Sequence, residues 1–509
     1  MSFFLKRALF VGVLAMSVMH CTTLIGEFKD CNTNVDCWNT YERNDLVCRS
    51  DQCVIHEQHE NCNIIVGDTD ETKHDGEMIT FGAIMAMTDA ETGESNPRGS
   101  YRSKAMALAY DYFNERGGVD GKNFRLRICD HQKDATRVEA LARYLVEDRG
   151  LPLVVTGGSS DTINASVVAI PTESLTMSIS ATALDISDLD DDDLVWRVVP
   201  SDKQIGKAVA ESIEVADGPA SGGSEAAELD GGVAEAGDAG VASSSGGSGA
   251  PKVGVIYVND PFGQGLQAAF EERYRSLHQN AEIVAGPFNE QDEASVLTVL
   301  DSLNAANPDK LFIIAFATEA TLIANKIAGS DYPNLPRGCD VIFADAMKDQ
   351  AFLDGLNSTA PSVLEGASIP SWGASGPVYD TFSGAFETTY DLDPSAQGYL
   401  AHAYDLAFVS ALAAIHSNEN QGAVTGLGLV DGMKNLSDGE AFEMKAPNIT
   451  AMTNALKSSG KINVFGATGD IDFDSASGEP LSGQITISYI SGGAFVGSNS
   501  TICSSDNDG

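Results

Sequence analysis

From residue 77 onward, short apolar runs alternate with stretches whose apolar positions recur three and four residues apart. Ile79–Met87 (ITFGAIMAM) has no polar face, the pattern of a strand covered on both sides, and it runs into a polar loop. In Ser103–Arg116 the residues Ala105, Leu108, Ala109, Tyr112 and Phe113 share one helical face, and Gly117-Gly118 ends the helix. Phe124–Cys129 predicts a second strand, Thr136–Glu147 a second helix and Leu153–Thr156 a third strand, with Met177–Ser180 continuing the series. The rhythm resumes with Lys252–Val258, a helix over Gly265–Leu277, then Lys310–Phe316 and Asp340–Ala344. Strand and helix in alternation predict right-handed βαβ units and an α/β fold, here in two lobes with parallel sheets.

Between the two runs lies Asp217–Pro251, almost wholly Gly, Ala, Ser, Asp and Glu. Such a stretch cannot bury enough apolar surface to offset its chain entropy, which predicts a disordered insertion. The acidic run Asp188–Asp193 lacks alternating ligand spacing, and Asp470, Asp472 and Asp474 are followed by Ser475 where a calcium loop needs glycine. Both read as solvated turns.

The N-terminus sets the compartment. Lys6 and Arg7 precede an apolar run, Ala8–Val18, and Cys21 follows shortly after, so residues 1–21 read as an export signal. The cysteine matches a lipoprotein acylation site, although His20 and Met19 are bulkier than usual there; cleavage after Ser17 is the rival. The chain has nine cysteines. Acylating Cys21 leaves an even set of Cys31, Cys37, Cys48, Cys53, Cys62, Cys129, Cys339 and Cys503 for an oxidising compartment. Residues 22–76 form a Cys-rich module too short and polar for a core of its own, and Cys31, Cys37, Cys48 and Cys53 predict two bridges among three pairings. Cys53, His56, His59 and Cys62 recur every third residue, which is not the spacing of zinc modules, so no metal is assigned.

Charge narrows the function. Across 509 residues, 73 Asp and Glu stand against 31 Lys and Arg, a formal net charge of -42. That field repels phosphate backbones and excludes a nucleic-acid partner. No Gly-x-Ser-x-Gly elbow follows a strand, and neither His-Glu-x-x-His nor a Gly-Lys-Ser/Thr phosphate loop occurs. His131 and His402 are lone histidines without a catalytic pattern around them. Gly157-Gly158-Ser159-Ser160 is more informative, because small residues at a strand's carboxyl end let helix-start N–H groups hold an anion.

Several segments now occur in a telling order: Ile79–Met87, Asn114-Glu115-Arg116-Gly117-Gly118-Val119-Asp120-Gly121, Thr156–Ser160, Ser178-Ile179-Ser180-Ala181-Thr182 and Trp196–Asp202. Lys252–Val258 with Asn259-Asp260-Pro261-Phe262-Gly263, Ala403–Ala407 and Gly469–Asp474 follow. Together they resemble the type I periplasmic binding proteins, in the leucine/isoleucine/valine-binding branch. The resemblance implies two doubly wound lobes joined by three chain crossings near Val198–Asp202, Leu364–Ile369 and Asp470–Asp474. Lobe 1 would be residues 77–199 with 365–469, and lobe 2 residues 200–364 with 470–509, interrupted by the insertion.

The resemblance also implies a site. Ser159 would hold a ligand carboxylate, Ser180 and Thr182 would accept from an ammonium, and Tyr404 and Tyr101 would wall the pocket with Phe262. The family's acidic counter-charge aligns with Ala346, leaving Asp345 beside it; pointing outward, Asp345 would leave an amino acid's ammonium unpaired. In the implied layout Cys339 pairs with Cys503 and Cys62 with Cys129. The function implied is a periplasmic, lipid-anchored, monomeric solute-binding protein. It would capture a small amino acid-like ligand by closure and pass it to an ABC permease, with no cofactor and no catalysis. A sensory ligand-binding module for a signalling receptor is the alternative, followed by an exported enzyme and a scaffold without a ligand.

Overall fold

The computed structural model describes residues 31–32, 34–41, 46–49, 51–55, 59–70, 72–73, 75–90, 92–215 and 250–497. The export segment with Cys21, His56, nearly all of the Asp217–Pro251 insertion and Cys503 lie outside them. No helix among the described residues is long and apolar enough to cross a membrane.

Two sheets repeat one topology. In the first, five parallel strands run in spatial order Phe124–Asp130, Ile79–Met85, Leu153–Thr156, Leu175–Ser178 and Val195–Arg197, with Ile64–Gly67 antiparallel at the edge. In the second, Ile283–Phe288, Val253–Val258, Lys310–Ile314, Val341–Phe343 and Ser368–Trp372 are parallel, and Ile485–Ser491 and Ala494–Val496 close the edge antiparallel. Each parallel set has strand order 2-1-3-4-5, so the winding direction reverses between its first and third strands. A crevice opens there at the strands' carboxyl ends. Every residue of Ile79–Met85 and Phe124–Asp130 is buried; the first reads as a continuous apolar run, while the second buries Arg125 and Arg127 beside Asp75.

Helices begin earlier than their apolar faces suggest. Asn96 accepts from Arg98 N and Pro97 takes the first turn, so the helix spans Pro97–Asn114 rather than starting at Ser103. Asp260 likewise caps Pro261–Leu277 by accepting from Gly263 N at 2.8 Å.

The two sheets support two hydrophobic cores, and the chain visits them alternately. Residues 79–198 and 378–473 build the first, residues 199–372 the second, to which Ile490 returns. Two expected boundaries therefore move. The strand Ser368–Trp372 pairs within the second sheet, so the chain leaves that core after Trp372 and not near residue 365. Phe473 packs its ring on Trp196 at 5.2 Å, and Arg197 N donates to Gly478 O, so the last crossing falls near residues 481–484 instead of 470–474. The three crossings touch: Gly373 N donates to Gln484 O at 2.7 Å, and a Cβ on Gly483 would meet the Trp372 ring at 2.6 Å and Pro200 at 2.7 Å.

The cysteine pattern resolves into Cys31–Cys48 and Cys37–Cys53 in the N-terminal module and Cys62–Cys129 at the first sheet. Cys339 is also disulfide-bonded, while its expected partner Cys503 lies outside the described residues. Cys62–Cys129 joins the N-terminal approach to a core strand across a separation of 67 residues. Replacing both with serine should lower stability by about 2–5 kcal/mol, read from urea unfolding. A variant as stable as wild type would show that hydrogen bonds such as Asp130 N to Asn61 O suffice to hold that edge.

Candidate functional site

The carboxyl ends of the two sheets face each other, and both crevices contribute charge. On the first side, the Gly157-Gly158 turn leads into the helix Ser159–Ala169. The Ser180 hydroxyl donates to Gly157 O at 2.6 Å and Ser180 N to the same oxygen at 3.2 Å, which fixes the turn. The Ser159 hydroxyl accepts from Ala183 N at 3.2 Å, and as a hydroxyl it can still donate. Asp161 accepts from Gly158 N and lies 3.5 Å from His131 Nε2.

Arg98 and Arg102, one turn apart on the Pro97–Asn114 helix, reach into the same space. Arg98 donates to Ala346 O at 3.0 Å and to Asp349 Oδ2 at 2.9 Å, bridging the first core to the second. Asp349 is positioned by Gln397, whose Nε2 donates to Oδ1 at 3.1 Å. Burial opposes ionisation of Asp349, but the Arg98 charge and these bonds hold its carboxyl below the usual range. Arg102 lies beside the turn, with Nη1 3.8 Å from where a Cβ on Gly157 would stand, and its Cζ sits 5.4 Å from the Tyr399 ring centroid. Its Nε has no hydrogen-bond partner. Burial, then the Arg98 charge, pulls its pKa down to about 9.

The second side is acidic. Asp345 is 2% exposed, with Tyr399 donating to Oδ2 and Oδ1 left without a partner. Burial pushes its carboxyl up to about 6 against the pull of backbone N–H groups, Arg98 and Arg102. Asp202 is fully buried, and burial followed by the Asp345 charge drives its pKa well above the usual carboxylate range. The Thr182 hydroxyl favours its charged form, yet neither Asp202 oxygen completes a hydrogen bond. Asp260, at the carboxyl end of Val253–Val258, is raised to about 6 by burial despite its bond to Gly263 N, with Asp161 adding repulsion. Glu290 is exposed at its surface, yet desolvation by the surrounding protein raises its carboxyl to about 7, with repulsion from Asp260, Glu319 and Asp161 adding to it.

A family profile described as "Periplasmic binding protein" matches residues 79–455, most of the chain. The chain belongs to the periplasmic binding protein family. No curated sequence matches it. Its fold is similar to that of the leucine binding protein LivK from Thermotoga maritima (14% identity, 82% of this chain and 97% of that one covered, TM-score 0.59). It is also similar to the branched-chain amino acid transporter substrate binding protein LivJ from Streptococcus pneumoniae, in complex with isoleucine (18% identity, 82% and 97% covered, TM-score 0.58). A third is a solute binding protein of an ABC transporter from Rhodopseudomonas palustris in complex with 3,4-dihydroxybenzoic acid (16% identity, 81% and 93% covered, TM-score 0.55).

In this periplasmic binding protein the sequence-derived residues separate into two groups. Ser159, Ser180 and Thr182 cluster at the first strand ends, with Asp345 across from them. Asp345 is buried and accepts from Tyr399, so it does not point out to solvent. Phe262 is buried at the start of its helix and stacks on Phe316 with centroids 5.7 Å apart.

Tyr404 does not wall the cleft. Its hydroxyl donates to Met444 O at 3.0 Å and its ring packs on Phe382 and Phe408, deep in the first core. Tyr101 packs on Phe386 against the same core, with Lys104 over its ring. The tyrosine at the charged centre is Tyr399, held at φ 67° just before the helix Leu400–Gln421. Arg98, Arg102, Asp202, Asp349 and Tyr399 escaped the sequence reading. Two basic residues four apart at the end of the polar loop were the available signal for the arginines.

Proposed function

We propose that this periplasmic binding protein captures a small polar solute between its two cores and delivers it to an ABC transporter permease. One observation carries this reading: two facing crevices bury charged groups from both cores, and Arg98 of the first is bonded to Ala346 and Asp349 of the second. Among the described residues, the lobes are 77–198 with 378–480 and 199–215 and 250–372 with 485–497, flexing about the three touching crossings. Contacts from both lobes exist together only in the shut state, so a ligand shifts the hinge population towards closure.

A carboxylate would sit at the Gly157-Gly158 turn, against Ser159 and Arg102, and an ammonium beside Asp345 and Thr182. The solved relatives named above carry ligands as different as isoleucine and 3,4-dihydroxybenzoic acid, so shared fold leaves the ligand to the side chains of each cleft. Export and acylation at Cys21 place the protein, as a monomer, at the envelope; the mass of its mature N-terminal peptide tests this.

Calorimetric titration with amino acids and amines, paired with small-angle scattering, tests capture directly. A bound ligand should shrink the radius of gyration. Arg98→Ala should weaken affinity about tenfold, because its charge-assisted bonds form only on closure. Unchanged affinity would remove the latch from the mechanism.

A further inference from the structure

The cleft holds more negative charge than one ammonium can answer. Asp349 is already matched by Arg98. Asp345 and Asp202 are both buried, the Asp345 charge opposes ionisation of Asp202, and three of their four oxygens have no hydrogen-bond partner. Asp202 also feels Asp260, and Asp260 in turn feels Asp161 from the opposite core. Glu319 is buried and accepts from Gln291 N, adding a further carboxylate at the neighbouring strand end. The negative groups thus form a track from Tyr399 to the mouth at Glu290 rather than a point.

Arg197 also acts on Asp202, but its Nη donors are spent on Glu479, Ala181 O and Ala183 O, and Arg102 lies at the Gly157 end. An unpaired buried carboxylate is costly, so such a track is stable in its charged form only with cations along it. Among the described residues no three of these carboxylates bring oxygens within 4.8 Å of one another, so they form no cage for a bare metal ion. Charge spread along a flexible chain fits them better.

We propose that the ligand is an organic dication, with one ammonium at Asp345 and Asp202 and a second cationic nitrogen near Asp260 and Asp161. This rests on the cleft being the solute site. Two sources share that chemistry. A basic amino acid such as lysine, ornithine or arginine would also use Arg102 and the Gly157-Gly158 turn for its carboxylate. A diamine such as putrescine or cadaverine would leave them unused.

Calorimetry on the full mature protein at pH 7.5 separates the cases, with lysine, ornithine, arginine, putrescine and cadaverine set against leucine and glutamate. The expected result is binding of one or more dications at least 100-fold tighter than leucine. Preference for amino acid over diamine identifies the source. Asp202→Asn should raise the melting temperature of the ligand-free protein, since it removes a buried carboxylate without hydrogen-bond partners whose charge is offset only by Arg197, itself bonded to Glu479, while weakening dication binding at least tenfold. A purely structural Asp202 would give the opposite sign in the melt. Asp260→Asn should weaken dication binding at least tenfold, and unchanged dication affinity in that variant would remove the second cationic contact. Tighter binding of leucine or glutamate would overturn the dication proposal and leave solute capture standing. Binding of no amino acid or amine would overturn both.

Discussion

Asp75→Asn should cost about 3–5 kcal/mol of stability, because it strands three buried guanidiniums around a neutral side chain. Asp75 Oδ2 accepts from Arg149 Nε at 3.0 Å, while Arg127 and Arg125 approach Oδ1 at 3.7 and 3.9 Å. The Thr80 hydroxyl also donates to Oδ1, at 3.2 Å. All three arginine side chains are no more than 9% exposed. Arg125 spends further donors on Asp68 O and Lys73 O, and Arg127 on Cys62 O, so the cluster also ties the approach segment to the first sheet. Burial alone would raise the Asp75 pKa, yet Arg149, Arg127 and Arg125 hold it below the usual carboxylate value. A depressed folded pKa means stability that is present above the unfolded carboxylate pKa and lost as pH falls through the folded one. Wild type should therefore show this contribution at neutral pH and lose it in acid, and the variant should lack it throughout. Urea unfolding followed by circular dichroism at pH 7 reads the difference. A loss under 1 kcal/mol would show that water or another anion can replace the carboxylate.

Gly263→Ala should destabilise the protein by about 3 kcal/mol and weaken ligand binding at least tenfold. A Cβ at this position would lie 1.9 Å from Val258 O, so the first turn of Pro261–Leu277 packs directly on the strand before it. The clash is of a Cβ against a backbone carbonyl, and no rotamer relieves it. The helix must retreat, which breaks the Asp260 cap on Gly263 N and moves Phe262 off Phe316. Stability and binding are thus coupled through one carbon atom. Gly384→Ala is the control, since a Cβ there meets nothing within 4 Å and its helix should gain up to about 1 kcal/mol. Thermal melts and calorimetry on both variants decide it. Native stability and affinity in Gly263→Ala would mean that helix and strand are further apart than described.

Much of the fold was legible because parallel strands covered on both faces carry unbroken apolar runs. Ile79–Met85 and Val253–Val258 stood out for that reason, and the Gly157-Gly158 turn stood out because anion-holding loops need small residues. The layout that the resemblance implies pairs Cys62 with Cys129, and the structure has that disulfide. Legibility failed where one residue type serves two purposes. Tyr404 and Tyr399 are both tyrosines beside the same helix start; one fills the core and the other meets Asp345, and nothing in their neighbours' polarity separates them. The resemblance implies a crossing near Leu364–Ile369, whereas Ser368–Trp372 pairs within the second sheet, a difference that only strand pairing reveals.

By itself, the sequence determined the α/β class, the two strand series and the turn at Gly157, since local burial and backbone freedom leave periodic marks on a chain. Tertiary structure alone decided which charges meet. Arg98 and Asp349 stand 251 positions apart, and only the approach of one core to the other makes them partners. Within the second core, folding likewise brings Asp345 near enough to repel Asp202, because long-range electrostatics follow distance in space and leave no pattern in local sequence.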